Sequence, residues 1–202
     1  MKKLICITGG DGVGKSTLVD ALLQQIPDVY EADIWDLLKS PTESLPFQSK
    51  RQIDDFLCAL TPDSRLLFLG HALIWSIDTA MASDKSIILL NSYYYKYFAT
   101  ELALGADLAL VHALGERFPR PDLVIHLDLA LREAVKRKKV LSRYECGLSD
   151  KPSPESFLTF QAKALAQWEQ FDQKDWHHLD ARLSPEELQE KSLDIIRAAL
   201  ES

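Results

Sequence analysis

The stretch LICITGGDGVGKST, residues 4–17, contains the pattern G-x-x-x-x-G-K-[ST], which is met by Gly9, Gly14, Lys15 and Ser16. The apolar residues before the pattern are typical of a buried strand, and those after it are typical of a helix that ends before Pro27. A chance glycine turn lacks this placement between a strand and a helix. The stretch therefore predicts a loop that holds the phosphates of a nucleoside triphosphate.

Each part of this loop has a predicted role in binding Mg-ATP. Glycines let the backbone turn its N–H groups toward an oxyanion, and the start of the helix adds partial positive charge. Lys15 is expected to reach the β- and γ-phosphates, and the Ser16 hydroxyl is expected to bind Mg²⁺. The predicted cofactor-binding residues of the loop are Gly9, Gly10, Asp11, Gly12, Val13, Gly14, Lys15, Ser16 and Thr17.

Composition limits the class of protein. The chain has 202 residues, 47% of them hydrophobic, and a formal net charge of −7, which fits one medium globular domain over residues 1–202. A chain with this negative net charge is not expected to bind a nucleic acid polymer. The three cysteines show no metal-ligand spacing and no disulfide pattern, and the longest near-apolar stretch, residues 66–77, is interrupted by His71 and Ser76. We expect a cytoplasmic protein without a membrane segment.

Strand and helix patterns alternate along the chain, which predicts an α/β fold with a parallel sheet covered on both faces. The predicted strands are Leu4–Thr8, Val29–Ala32, Ser86–Leu90, Leu123–Leu127 and Trp176–Leu179. The predicted helices are Lys15–Ile26, Ser64–Met81 (with Leu67, Leu73, Ile74 and Ile77 packing inward), Ala130–Val140, Ser153–Phe171 and a last one capped by Ser184, Pro185 and Glu187.

Several segments, in order over nearly the whole chain, resemble the thymidylate kinase family. The acidic residue two positions after the first loop glycine, Asp11, matches that family's phosphate loop. The later matches are Arg65-Leu66-Leu67-Phe68, the strand Pro121–Asp128, the basic segment with Arg137 and Ser142-Arg143-Tyr144-Glu145, and Leu179-Asp180-Ala181.

This resemblance implies a P-loop nucleoside monophosphate kinase fold, with a five-stranded parallel sheet and a small helical lid at about residues 136–153. It implies transfer of the γ-phosphoryl group of ATP to a nucleoside monophosphate, with dTMP as the family's acceptor, and a homodimer. Asp11 would contact the acceptor sugar, and Asp180 with Ala181 would lie beside adenine. Some family members carry an arginine where this loop has Gly12, so Arg137 or Arg143 is expected to supply that cation from the lid.

The acceptor half departs from the family pattern. Asn91-Ser92-Tyr93 stands where the family has Asp-Arg-Tyr, and Ala72 stands where it has an arginine that clamps the acceptor phosphate. Asn91 gives a metal no negative charge, and Ser92 cannot replace a guanidinium. Two alternatives follow: another small acceptor, a nucleoside or a different nucleotide, or a nucleotide-binding switch protein without acceptor turnover.

The candidate acceptor residues are Asp11, Phe68, Asn91, Tyr93 and Lys96, with Arg51 and Arg65 as substitute cations. Asp33 and Asp36 follow the second strand and are interpreted either as ligands of a sugar hydroxyl or as a polar turn. Asp128 is a candidate to assist the metal in place of Asn91. Trp176, His177 and His178 show no zinc spacing and are interpreted as strand and surface residues.

Overall fold

The computed structural model describes residues 2–38, 47 and 49–201. The strands are β1 (Lys3–Gly9), β2 (Val29–Ala32), β3 (Ile87–Asn91), β4 (Leu123–Asp128) and β5 (His177–Asp180). They form one parallel sheet of five strands in the order β2-β3-β1-β4-β5. The fold class predicted from the sequence is confirmed, and each predicted strand is found within one residue of its expected bounds.

Helices connect and cover the strands. They are α1 (Lys15–Leu23), α2 (Lys50–Ala59), α3 (Pro62–Ala82), α4 (Tyr94–Ala103), α5 (Leu108–Gly115), α6 (Leu131–Arg137), α7 (Pro154–Ala166) and α8 (Pro185–Glu201), with 3₁₀ turns at Ile34–Leu38, Tyr144–Cys146 and Gln167–Gln170. The predicted helix over Ala130–Val140 is shorter than expected, because the backbone becomes extended at Lys138. No helix among the described residues has the length and hydropathy needed to span a bilayer.

The two faces of the sheet bury different residues of each strand, because successive side chains of a strand point to opposite faces. Leu4 and Cys6 of β1 face α3 and α4, whereas Ile5 and Ile7 face α1 and α8. Burial raises the pKa of the Cys6 thiol, as expected of a cysteine that only fills the core. This two-sided burial explains why the strands read as continuous apolar runs.

The start of α8 follows its sequence signal, whereas α1 and α7 end earlier than predicted, at Leu23 and Ala166. Glu187 N–H donates to Ser184 Oγ at 3.2 Å, and Ser184 N–H donates to a Glu187 carboxylate oxygen at 2.9 Å, which confirms the predicted capping box of α8. The prediction that Leu67 packs inward is wrong, since its side chain is 51% exposed on the outer face of α3.

The candidate functional loops lie together at the carboxyl ends of the strands. β1 lies between β3 and β4, so the connections after β1 place β2 and β3 on one side of it and β4 and β5 on the other. In open parallel sheets, ligands bind at such a switch point, outside the carboxyl ends of the strands. The glycine loop, Asn91 with Ser92, and Ala181 all follow carboxyl ends at this edge.

Candidate active site

The glycine loop joins β1 to α1 in a conformation that only glycine adopts easily. Gly9, Gly12 and Gly14 have φ values of 140°, 81° and 105°. A Cβ atom on Gly12 would lie 2.6 Å from the carbonyl oxygen of Ala134 in α6, and one on Gly9 would lie 2.7 Å from the carbonyl oxygen of Leu127. Because α6 lies directly against Gly12, this loop has no room there for the arginine that some similar loops carry.

Lys15 is positioned inside the loop. It is buried, and its Nζ donates to the carbonyl oxygen of Gly10 at 2.6 Å. Burial is the main cause that lowers the pKa of Lys15 to about 8, and the nearby ammonium of Lys96 acts in the same direction. An anionic ligand beside this amine would restore the pKa toward its usual range, so the site favours a phosphate partner.

Asp11 and Lys96 form an ion pair across the site. The Lys96 Nζ lies 2.7 Å from Asp11 Oδ1, and the two side chains are only 13% and 11% exposed. Burial alone would raise the pKa of Asp11, but Lys96 and Lys15 outweigh it and lower the pKa to about 2. Asp11 is therefore a carboxylate at neutral pH, and Lys96, whose pKa this carboxylate raises, is an ammonium.

One cavity of about 1270 Å³ extends from the glycine loop to the far side of this ion pair. Its wall on the loop side includes Gly12 to Thr17 and Ala181, and its wall on the other side includes Asp33, Arg51 and Ala72. Asp11 and Lys96 also line this cavity. The cavity can therefore hold a triphosphate and a second small molecule at once.

The side away from the glycine loop carries an aromatic wall and a polar strand end. Phe68 lines the cavity and packs against Phe56, with ring centroids 5.2 Å apart. Asn91 and Ser92 also line it, and Asn91 Nδ2 donates to Glu31 Oε1 at 3.2 Å. Glu31 thus supplies, beside Asn91, the negative charge that asparagine itself lacks.

Three lid cations line the same cavity in different environments. The guanidinium of Arg137 donates to the carbonyl oxygens of Val13 (3.2 Å) and Ala181 (2.8 Å). Lys138 Nζ donates to Glu145 Oε1 at 2.5 Å. Arg143 donates to the highly exposed Asp150 at 2.6 Å.

These contacts distinguish the two arginines that the sequence could not separate. Arg137 bridges the glycine loop and the β5–α8 connection, where carbonyl groups accept from two of its five N–H donors. Arg143 Nε, in contrast, is buried and lacks a hydrogen-bond partner within the described ranges. The described ion-pair partner of Arg143 is an exposed carboxylate, so of the two arginines Arg143 is the one that a ligand can more easily recruit.

The geometry and the sequence comparisons agree. The sequence model of thymidylate kinase matches residues 7–192. The chain belongs to the thymidylate kinase family. It is 27% identical over 99% of its length to the whole of the probable thymidylate kinase 1 of Saccharolobus solfataricus, and 31% identical over 66% of its length to 61% of the thymidylate kinase of Dictyostelium discoideum.

Solved structures show the same fold at lower identity. The thymidylate kinase of Candida albicans aligns with a TM-score of 0.68 and 19% identity, over 98% of this chain and 92% of the other. A deoxyadenosine kinase from M. mycoides, solved with dCMP, aligns with a TM-score of 0.65 and 17% identity, over 96% of this chain and 99% of the other. Nucleotide and nucleoside kinases thus share this chain's architecture.

Tyr93 was predicted to bind the acceptor, but the structure does not place it in the cavity. Its ring is 1% exposed, its hydroxyl donates to the carbonyl oxygen of Pro119 at 2.9 Å, and it does not line the cavity. The backbone at the start of α4 directs this ring toward Phe118 in the core. Tyr97, one turn further along α4, lines the cavity instead.

Arg65 is also displaced from the site predicted for it. Its guanidinium is buried, with Nε donating to Glu101 Oε2 at 2.8 Å and Nη1 donating to the carbonyl oxygens of Leu57 and Leu60. Tyr144 of the lid donates to the other oxygen of Glu101 at 2.7 Å. Arg65 therefore joins α2, α3, α4 and the lid, and is not an acceptor-binding cation.

The remaining carboxylates divide between the cavity and its surroundings. Asp33 lines the cavity, but Asp36 is buried behind it and accepts from Ser76 Oγ at 2.8 Å, which supports the polar-turn interpretation for Asp36. Asp180 hydrogen-bonds Arg182 and does not line the cavity, whereas Ala181 does. Asp128 contacts His126 and His178 instead of the metal side of the loop.

Some cavity residues had no individual signal in the sequence. Lys138 lines the cavity and Glu31 contacts it through Asn91, and both are single charged residues whose positions follow from packing between elements, so residue spacing could not identify them. The basic run around residue 137 pointed to the lid as a whole, and only the structure separates its members.

Proposed function

We propose that this chain transfers the γ-phosphoryl group of Mg-ATP to dTMP, which yields dTDP and ADP. The observation that carries the proposal is the single cavity lined by the glycine loop, the Phe68 wall and the Asp11–Lys96 ion pair. A kinase must hold two substrates close together, and one cavity lined by both the glycine loop and the Phe68 wall supports such a reaction.

On the donor side, Gly9 to Thr17 would hold the β- and γ-phosphates through backbone N–H groups and the start of α1. Lys15 would contact the β- and γ-oxygens, since its ammonium already lies against the inner surface of the loop. Ala181, and Arg137 through its bond to Ala181, would border the adenine. This assignment follows the family resemblance for the loop after β5.

Mg²⁺ is the metal that the donor residues fit. Ser16 lines the cavity at the start of α1 and offers a hydroxyl oxygen, which suits a hard cation that keeps waters and phosphate oxygens as its other ligands. Bound Mg²⁺ would neutralise charge on the transferring phosphates. The carboxylate of Glu31 beside Asn91 lies at the strand end where other family members carry an aspartate.

On the acceptor side, Lys96 is our candidate for the cation that replaces the missing arginines. An ammonium has three donors, and the described contacts of Lys96 use one of them on Asp11. The remaining donors can bind the acceptor phosphate, while Asp11 accepts from the sugar hydroxyl. Phe68 would pack on the base, because it is the ring of the aromatic wall that lines the cavity.

In the transfer step, an acceptor phosphate oxygen forms the new bond to the γ-phosphorus while the bond to the β,γ-bridging oxygen breaks and leaves ADP. Charge on the transferring oxygens would be stabilised by Lys15 and by Arg143 from the lid over residues 136–153. Arg143 suits this role since its partner Asp150 is a highly exposed carboxylate that a phosphate can displace.

A coupled assay of ADP release tests the proposal. We expect turnover with dTMP to exceed that with dCMP, dAMP and thymidine, and we expect Lys15→Ala to lower kcat/KM by about 10²–10³-fold. Lys136→Ala is the matched control, because that lysine is 69% exposed on α6. Turnover of thymidine alone, or of no acceptor at all, would contradict the proposal.

The cytoplasmic location and the homodimer stay predictions. The exposed Leu67 on α3 offers apolar surface for a second copy, and the mass measured in solution by light scattering would test the dimer.

A further inference from the structure

A cluster of two histidines and one aspartate lies on the sheet outside the kinase cavity. His126 and Asp128 are two residues apart on β4, so their side chains share one face of the sheet. His178 pairs with His126 in the register of β4 and β5 and therefore points to that same face. Residues distant in the sequence are brought together here by strand pairing alone.

The ligand atoms of the cluster converge. His126 Nδ1 lies 3.0 Å from Asp128 Oδ1, and His178 Nδ1 lies 2.9 Å from Asp128 Oδ2. One ligand atom from each of the three residues lies within 4.8 Å of the others. An ion with bond lengths near 2.1 Å holds its ligand atoms about 3.4 Å apart, so shifts of up to about 0.7 Å in each of two side chains would complete the site.

The surroundings combine a fixed ligand with open access. The ring of His126 is held between Trp168, at 5.1 Å and perpendicular, and Trp176, at 5.8 Å and nearly parallel. The side chains of Asp128 and His178 are 51% and 45% exposed, which leaves a path for the ion and a position for a water ligand. A packed ligand beside two exposed ones suits metal capture from solution.

We propose that His126, Asp128 and His178 bind a divalent transition-metal ion of the zinc class. Two imidazoles and one carboxylate favour such an ion over Mg²⁺, which prefers oxygen ligands. The site is therefore separate in chemistry from the Mg-ATP site at Ser16, and it does not depend on the kinase assignment.

The ion would join β5 to the rest of the sheet. β5 is a four-residue edge strand, and directly after it Ala181 N–H donates to the carbonyl oxygen of Asp128 at 2.9 Å. Ala181 in turn accepts from Arg137, which contacts the glycine loop. A bound ion would thus stabilise the loop that carries Ala181.

Titration of the full chain with Co²⁺ in excess Mg²⁺, without nucleotide, tests the proposal. We expect one equivalent to bind, with visible absorbance typical of nitrogen and oxygen ligands and saturable quenching of tryptophan fluorescence, because Trp168 and Trp176 border the site. At a Zn²⁺ concentration about one hundred times Kd, we expect Tm to rise by about 5–10 °C.

His178→Gln should weaken Co²⁺ binding at least about tenfold. His177→Gln is the matched control, because residue 177 is its exposed neighbour on the opposite face of β5 and should bind Co²⁺ as the wild type does. Both positions are exposed, so both variants should fold. Equal affinity in the two variants, displacement of Co²⁺ by Mg²⁺, a thiolate-to-cobalt absorption band, or an absence of saturable binding would each overturn the proposal.

Discussion

Replacement of Gly12 by alanine tests the close approach of the glycine loop to α6. Gly12 has a φ of 81°, and a Cβ there would lie 2.6 Å from the carbonyl oxygen of Ala134 and 3.2 Å from its carbonyl carbon. The obstacle is helix backbone, which cannot rotate away as a flexible side chain does. Gly12→Ala therefore forces either the loop or α6 to shift.

Two contributions give the expected size of the effect. A left-handed backbone costs a non-glycine residue about 1–2 kcal/mol, of which the lower entropy of the unfolded alanine chain offsets about 0.4–1 kcal/mol. The overlap with α6 adds about 1–3 kcal/mol, as in other overpacked sites. We expect a loss of about 3 kcal/mol in the free energy of unfolding, and therefore a fall in Tm of about 6–12 °C.

Gly10→Ala is the control in the same loop. A Cβ on Gly10 would meet only side-chain atoms of Leu165 and Val13 at 3.8 and 3.9 Å, and Gly10 is not among the residues with positive φ. Urea unfolding and thermal melts of the two variants, measured without nucleotide, separate the local clash from a general sensitivity of the loop. Gly10→Ala should stay within about 0.5–1 kcal/mol of the wild type.

Equal losses in Gly10→Ala and Gly12→Ala would refute the proposed clash between Gly12 and α6. A Gly12→Arg variant as stable as the wild type would also refute it, because the loop would then have room for an arginine. The inference that the lid must supply the cation would fall with it.

Two further predictions concern buried charges. Lys96→Met should raise KM for the acceptor about 10–100-fold and change KM for ATP little, since a hydrogen bond to a charged group contributes about 1.5–3 kcal/mol. Lys136→Met is the exposed control. Equal changes in KM for the acceptor and KM for ATP would contradict the role of Lys96. Burial raises the pKa of Glu101 from 4.5 to about 7, although Arg65 acts in the opposite direction. As the pH rises, the Glu101 carboxyl therefore loses its proton at a lower pH in the unfolded chain than in the folded one. The free energy of unfolding should fall by up to about 3 kcal/mol between pH 4.5 and pH 7. Glu101→Gln should remove this slope from urea unfolding measured across that pH range, and an unchanged slope would show that Glu101 does not titrate there.

Much of the architecture could be predicted because it rests on local chemistry. The strands appear as short apolar runs because both faces of the sheet are buried, and the pattern around Gly9, Gly14 and Lys15 specifies the turn and the helix start. The capping box at Ser184 is likewise formed within four residues. These features depend on neighbours in the chain, so one sequence suffices to find them.

The partners of the charged residues could not be predicted in this way. Lys96 was a candidate from its place after β3, but its ion pair with Asp11 depends on how α4 packs against the loop. Tyr93 and Arg65 looked equally available in the sequence, yet both are buried in contacts with distant elements. The positions of Tyr93 and Arg65 in the sequence do not show whether their side chains face solvent or the core.

The sequence by itself thus determined the phosphate loop, the order of strands and helices, and the family, because these follow from backbone conformation and hydrophobic periodicity. Only the tertiary structure decided which lid arginine contacts the glycine loop, why Gly12 has no room for a side chain, and that His126 and His178 meet at Asp128. Each of these depends on distances between segments far apart in the chain, and such distances are fixed by packing, not by local propensity.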